Sequence, residues 1–333
     1  MTLRNALKAG AHERPRRETT AAISKSTALA FAFDAEYLLP FRIMAYSMIR
    51  RGTLVDCPVY VYSDDEAVLR DPFVKQIADK IRLIEGRELS ELVDVAENHI
   101  KRPERAKWNR GTCLKWAVFD EADVDQVLFL DVDMLVLRSL EGFLRLYPDA
   151  DLVCCPQFQR SMMPAPDNPQ ARTLALEHLR QMIARGGAIT RRINSGVMLV
   201  RKRLLSREFR SRLIDFARGG QDINEQSHLT NFMRATRGKV GPNYELASSS
   251  YNFQENYLES VDRVDALSLL QQVRILHYAG QPKPWRPKAI KNGRFSLQLW
   301  SQFELAAEDD EAFGPFGRDL PQEPASALRS RIA

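Results

Sequence analysis

The sequence has no apolar run approaching the roughly 20 residues that a membrane-spanning helix needs. It also has no apolar stretch with a cleavage site behind its start. Residues Met1 to Arg17 are basic and polar and do not read as a secretory signal. Cysteine is scarce: Cys57, Cys113, Cys154 and Cys155 show neither C-x-x-C nor zinc-ligand spacing. Cys154 and Cys155 lie in the apolar run that begins at Leu152 and read as core, so a reducing cytoplasm is the simplest compartment. There is no internal repeat at a period of roughly 20 to 50 residues. The net charge of +5 has no aromatic-basic motif behind it, so it does not point to nucleic acid.

What is present is a chain of 333 residues, 44% of them hydrophobic, enough for one large domain or two ordinary ones. Residues 1–26 read as a flexible basic leader, 27–300 as the folded domain and 301–333 as a polar tail. Apolar runs at Ala28 to Phe33, Val59 to Tyr62 and Ile81 to Ile84 predict strands. Helical patterns separate them at Leu38 to Ile49, with Pro40 in the first turn, and at Asp71 to Lys80. Alternating strands and helices predict an α/β fold with a mostly parallel sheet. Residues 86–107 are weakly periodic and read as connecting structure, followed by a helix over Gly111 to Glu121. Further on, Ser139 to Leu146 suggests a short helix and Asp151 to Cys155 a strand; 156–168 reads as a loop and Leu174 to Ala184 as a helix broken by Gly186 and Gly187. Ile193 to Val200 is a strand, Leu204 to Ala217 an amphipathic helix with arginines outward, and Ile275 to Tyr278 a strand.

The chain is organised around Val127 to Leu137, a continuous apolar run interrupted by Asp131 and Asp133. Two unpaired carboxylates are too costly to bury in a core. They belong at the carboxyl end of a buried strand, where open α/β sheets bind ligands. Residues i and i+2 of an extended chain point the same way, so both acids can converge on one hard cation, Mg²⁺ or Mn²⁺. His277 ends a later strand, with Gly280 and Lys283 in the loop behind it. A metal and a lysine are what a leaving diphosphate needs. A helix starting near Ile223 would make Asp222 and Glu225 ordinary first-turn acids that offset the helix dipole.

Three segments together resemble the family 8 glycosyltransferases, which include glycogenin and bacterial lipopolysaccharide α-glycosyltransferases. They are Leu130-Asp131-Val132-Asp133-Met134, Asn194-Ser195-Gly196-Val197, and the H-x-x-G-x-x-K-P-W loop from His277 to Trp285. The resemblance runs from about residue 28 to 290. It implies a GT-A fold with a Rossmann-like central sheet flanked by helices, a UDP-sugar donor and retention of anomeric configuration. By the same resemblance, Asp131, Asp133 and His277 would bind Mn²⁺, with Mg²⁺ the alternative. Gly280 and Lys283 would hold the diphosphate. Asp34 and Tyr37 would contact the nucleotide, Tyr37 stacking on uracil, with Val132 beside them between the two acids. Lys115 and Arg110 would contact phosphate or sugar, and Asn194 and Ser195 would face the donor sugar. Glu225-Gln226 with Leu229 resembles the family's D-Q-x-x-L-N segment, but Glu stands for Asp and Thr230 for Asn. Which of Asp222, Glu225 and Gln226 faces the anomeric carbon stays open on sequence.

Two rival readings are set against this one. A haloacid-dehalogenase-like phosphatase also places D-x-D after an apolar strand, but near the start of the chain and with Thr or Val where Leu135 stands. A sugar-nucleotide-binding protein without catalysis would accommodate the Glu225 and Thr230 departures. The expected acceptor is a saccharide or glycolipid, nucleic acid is not expected as a partner, and the arginine-bearing helix could touch an anionic membrane face. Sequence leaves the sugar, the acceptor and the oligomeric state open.

Overall fold

The computed structural model describes residues 26–101, 106–158, 169–237, 241–286, 294–310 and 313. Residues 1–25 of the expected 1–26 leader and most of the 156–168 loop fall outside them. Seven strands form the main sheet: β1 (Thr27–Ala32), β2 (Val59–Ser63), β3 (Lys80–Leu83), β4 (Gln126–Leu130), β6 (Leu152–Pro156), β7 (Ile193–Arg201) and β8 (Tyr244–Leu246). Their order is β3-β2-β1-β4-β7-β6-β8. The β3-β2-β1-β4 half is parallel, and β7 runs antiparallel between β4 and β6. A second sheet joins β5 (Met134–Val136), β10 (Ile275–His277) and β9 (Phe253–Gln254) in the order β5-β10-β9.

Side-chain alternation along the strands sorts the core into two layers. Leu29 and Phe31 of β1, Leu128 and Leu130 of β4, and Val197 and Leu199 of β7 face one side. Ala28, Ala30, Val127, Phe129, Met198 and Val200 face the other. The first layer is covered by helix α1 (Leu38–Arg50) and by the small sheet. Short helices α2 (Glu66–Arg70) and α3 (Pro72–Ile77) lead into β3; α3 is shorter than the 71–80 pattern suggested.

Several expectations are corrected. Residues 86–98 are not connecting structure but helix α4 (Gly86–Asn98), which buries Leu92, Val95 and Ala96 against the second layer. With Leu89, which packs beside them, these inward residues are few among many charges, which hid the period. The helix expected from Gly111 is α5 (Ala106–Cys113) followed by a 3-10 stretch, Leu114–Asp120. Every residue from Leu114 to Phe119 is buried. Only a 3-10 turn, Phe143–Arg145, forms where a helix was expected near 139–146. Helix α6 (Pro169–Ile189) runs through Gly186 and Gly187. Its buried Ala175, Leu179, Met182 and Ile183 outweigh the glycines, each of which costs about 1 kcal/mol in a helix.

In helix α7 (Arg207–Arg218) not every arginine faces out. Arg210 is buried and pairs with Glu88 and with Asp120 at 3.1 Å. Helix α8 (Glu225–Ala235) is capped by the Asn224 side chain on Ser227 N. Helix α9 (Arg263–Leu270) precedes β10. Helix α10 (Phe295–Glu308) crosses residue 300, where the domain was expected to end. Phe313 beyond it is buried, its ring 5.0 Å from Tyr46 and 5.1 Å from Phe73. No helix among the described residues is long and apolar enough to cross a membrane.

Candidate active site

The two acids lie where the chain passes from the large sheet to the small one. Asp131, Val132 and Asp133 separate β4 from β5 in a bend, so the strand alternation expected to align the carboxylates is not what does so. Asp131 N donates to Gly196 O at 2.8 Å on β7, and Tyr278 N donates to Asp133 O at 2.9 Å. These bonds fasten the bend to the strand holding Asn194 and Ser195 and to the strand end holding His277. Val132 is buried between the acids.

Asp131, Asp133 and His277 place one ligand atom each within 4.8 Å of one another. His277 Nε2 is 3.1 Å from Asp133 Oδ1 and 3.9 Å from Asp131 Oδ2. On the other side of the ring, Nδ1 is 2.7 Å from Asn252 Oδ1. An amide oxygen only accepts, so Nδ1 carries a proton, and Nε2 is the ring nitrogen turned to Asp133: it donates to that carboxylate when protonated and offers a metal ligand when not. A bound cation would take the place of the Nε2 proton between the ring and the two carboxylates. Hard oxygens with one imidazole suit Mn²⁺ or Mg²⁺. Asn252 was not singled out from sequence, and no local pattern marks it.

Two lysines bracket the acids. Lys283 Nζ donates to Asp133 Oδ2 at 2.7 Å and to Tyr278 O at 2.6 Å. Lys115 Nζ donates to Asp131 Oδ1 at 2.9 Å and is 3.4 Å from Ser195 Oγ. Burial alone would raise the Asp133 carboxyl, but Lys283 and His277 outweigh it and hold it well below the usual range. Burial alone would lower the Lys115 ammonium; Asp131 and Glu225 outweigh that and raise it.

Gly196 is the tightest point. A Cβ there would meet Asp131 Oδ2 and His277 Cε1 at 2.9 Å each, and Asn194 Oδ1 at 3.1 Å. Only glycine lets β7 pass this close behind the acids. Gly280 is different: the nearest atom to a Cβ there is Asn256 Nδ2 at 3.6 Å, an ordinary contact.

Asn194 is buried, and its Oδ1 accepts from Gly196 N and Asn252 Nδ2, both at 3.0 Å. That oxygen is therefore turned inward rather than toward a sugar. Glu225 is also buried, receiving Trp116 Nε1 at 3.0 Å and Ser195 Oγ at 2.7 Å. It is not the solvated first-turn acid that its helix position suggested. Burial raises its carboxyl despite Lys115, Ser195 and Trp116, which lower it. Gln226 Oε1 accepts from Ser195 N at 3.3 Å, and Thr230 ties Ile193 N to Gln226 O. Asp222 points elsewhere: its carboxylate takes both bonds from Asn231 Nδ2 and lies 3.3 Å from His228 Nδ1.

Asp34 caps the 3-10 turn Ala35–Tyr37 by accepting from Glu36 N at 3.0 Å. Tyr37 packs edge-on to Trp285 at 5.6 Å. Burial, then the charges of Asp133, Asp34 and Asp131, raise its hydroxyl. Arg110 is tied to Asp64 at 2.6 Å.

The sequence profile of glycosyl transferase family 8 matches residues 28–289. The chain belongs to that family. Glycogenin-2 of Saccharomyces cerevisiae is 25% identical over 228 residues, 63% of this chain and 50% of that protein. The chain thus spans about half the length of that relative. In fold it is similar to the glycosyltransferase GlyE of Streptococcus pneumoniae TIGR4, with a TM-score of 0.54 and 18% identity over 92% of this chain and 63% of that one. It is also similar to an active-site mutant of LgtC, with a TM-score of 0.52 and 18% identity over 84% of this chain and 95% of that one. These likenesses give a GT-A-type fold, in line with the α/β architecture described above.

Proposed function

We propose that this family 8 chain transfers a hexose from a UDP-sugar to an acceptor hydroxyl with retention of configuration, using Mn²⁺ or, alternatively, Mg²⁺. The observation that carries this reading is the cluster of Asp131, Asp133 and His277, whose ligand atoms lie within 4.8 Å of one another, with Asp133 Oδ1 and His277 Nε2 3.1 Å apart. These three residues hold the ion, which when bound supplies charge for the leaving diphosphate. Gly280 and Lys283 take the diphosphate from the loop that follows His277. Asp34, Tyr37, Val132 and Arg110 frame the nucleotide, with the Tyr37 ring on the base. Lys115 and Ser195 border the donor sugar, and Asn194, whose Oδ1 is taken by Gly196 N and Asn252 Nδ2, reaches it with its amide nitrogen.

In the transfer, the bond from the anomeric carbon to the β-phosphate oxygen breaks. A bond from that carbon to the acceptor oxygen forms on the same face, and the acceptor proton passes to a β-phosphate oxygen. The chain contributes position and charge rather than a strong base. Of the three residues left open by sequence, Gln226 is the best placed to face the reacting carbon. Glu225 is enclosed by Trp116 and Ser195, and Asp222 is turned to His228 and Asn231. The acceptor in this reading is a saccharide or glycolipid of a bacterial-type surface polymer, met in the cytoplasm or at the inner membrane face.

The test is UDP release from a panel of UDP-sugars, with Mn²⁺ and with chelator. Slow Mn²⁺-dependent release from one donor supports the reading and names the sugar. Mn²⁺-dependent UDP binding with no turnover, even with saccharide acceptors, would favour a binding-only protein. Absence of UDP binding would overturn the reading.

A further inference from the structure

Behind the acids runs a buried chain of contacts that joins three elements. Trp116 and Lys115 come from the 3-10 stretch Leu114–Asp120, Ser195 from β7 and Glu225 from the first turn of α8. Trp116 Nε1 donates to Glu225 Oε1 at 3.0 Å and Ser195 Oγ donates to Glu225 Oε2 at 2.7 Å. Lys115 Nζ lies 3.4 Å from that Ser195 Oγ and donates to Asp131 Oδ1 at 2.9 Å. Glu225 is 2% exposed, so its carboxylate has both oxygens engaged inside the protein and no face toward the cleft. An acid one methylene shorter would withdraw the carboxylate by about 1.5 Å, beyond hydrogen-bond reach of at least one of the two partners. The length of the glutamate side chain is thus what closes the chain of contacts.

We propose that Glu225 is a positioning residue: through Ser195 and Lys115 it fixes the carboxylate of Asp131, and it does not touch the donor. This rests on the assignment of Asp131 as a metal ligand made above. The physical reason is that a buried lysine between two carboxylates takes its place from both. Removing the Glu225 charge frees Ser195 and lets Lys115 move onto Asp131 alone, and the ligand oxygen shifts with it. Outer contacts of this kind change metal affinity by about 10- to 100-fold when lost.

The test is the affinity of the full chain for Mn²⁺ alone, read from the free-ion EPR signal, in the wild type, Glu225→Gln, Ser195→Ala and the double variant. Each single substitution is expected to weaken Mn²⁺ binding about tenfold. The double variant is expected to be no weaker than the worse single one, because both break the same chain. Unchanged Mn²⁺ affinity in Glu225→Gln, or losses that add in the double variant, would overturn the proposal. If Glu225→Gln does not fold, Trp116→Phe keeps the carboxylate and Ser195 but removes one anchor. It is expected to weaken Mn²⁺ binding by a smaller factor, and an unchanged affinity there would overturn the proposal as well. A wild-type chain that binds no Mn²⁺ overturns the metal assignment itself, which separates that failure from silence of the variants in a chain that does bind.

Discussion

Gly196→Ala is the sharpest perturbation available, because one methyl group would strike two of the three candidate ligands. The added Cβ would sit 2.9 Å from Asp131 Oδ2 and 2.9 Å from His277 Cε1. Ordinary contacts begin near 3.4 Å, so each side chain must retreat by about 0.5 Å, well beyond the ~0.2 Å tolerance of metal–ligand distances. The residue lies within β7, where alanine fits the backbone, so the effect is local rather than conformational. Overpacking of this kind costs about 1–3 kcal/mol, equivalent to a loss of about 5- to 150-fold in Mn²⁺ affinity if it falls on the ion-bound state. The assay is the Mn²⁺-induced rise in the thermal midpoint. Saturating metal at about 1,000 times the dissociation constant stabilises by about 4 kcal/mol. In the variant that gain should fall by the about 1–3 kcal/mol lost, or about 1.5–4 °C of the shift for a chain of 333 residues. A Gly196→Ala protein that folds and keeps the full Mn²⁺ shift would refute the placement of the ion between Asp131 and His277.

Asn252→Ala removes the acceptor that fixes the His277 tautomer. Mn²⁺ affinity should fall about 10- to 100-fold with the fold retained, and isothermal titration of the metal reads it. An unaltered isotherm would mean that Nε2 is presented without Asn252. For Glu255, burial raises the carboxyl despite the hydroxyl of Ser296 and the charge of Arg294, which lower it. A raised folded-state value means the contribution to stability is fully present below the ordinary glutamate value of 4.5 and is lost as pH rises through the folded value. Glu255→Gln should therefore show a smaller drop in unfolding free energy between pH 5 and pH 8 than the wild type, measured by denaturant titration. An equal drop in both would remove Glu255 as its source.

Much of the frame was legible because it depends on short-range pattern. The apolar runs that became β1, β2, β4 and β7 stand in the sequence with nearly their final bounds, since a strand buried on both faces needs little but continuous hydrophobicity. The acids after β4 were legible for the converse reason: carboxylates in an apolar run can only be tolerated where it meets solvent or a ligand. The H-x-x-G-x-x-K-P-W loop was equally plain, and His277 and Lys283 do meet Asp133. Helix α4 was missed because Leu89, Leu92, Val95 and Ala96 turn inward among many charged residues.

By itself, then, the sequence determined the family, the strands of the sheet and the residue types that gather at the end of β4. Tertiary structure alone decided which polar atoms face the cleft and which are used up behind it. Glu225, Gln226 and Asp222 are nearly indistinguishable along the chain, yet the first is enclosed by Trp116 and Ser195, the second lies at Ser195 N and the third is turned to Asn231. Asn194 offers its oxygen to Gly196 and Asn252 rather than to the cleft, and Asn252 reaches His277 across 25 residues of chain. Local pattern sets which side of an element is apolar. The partner of a buried polar group is set by whichever distant element packs there, because each such group must find its hydrogen bonds wherever the fold has placed them.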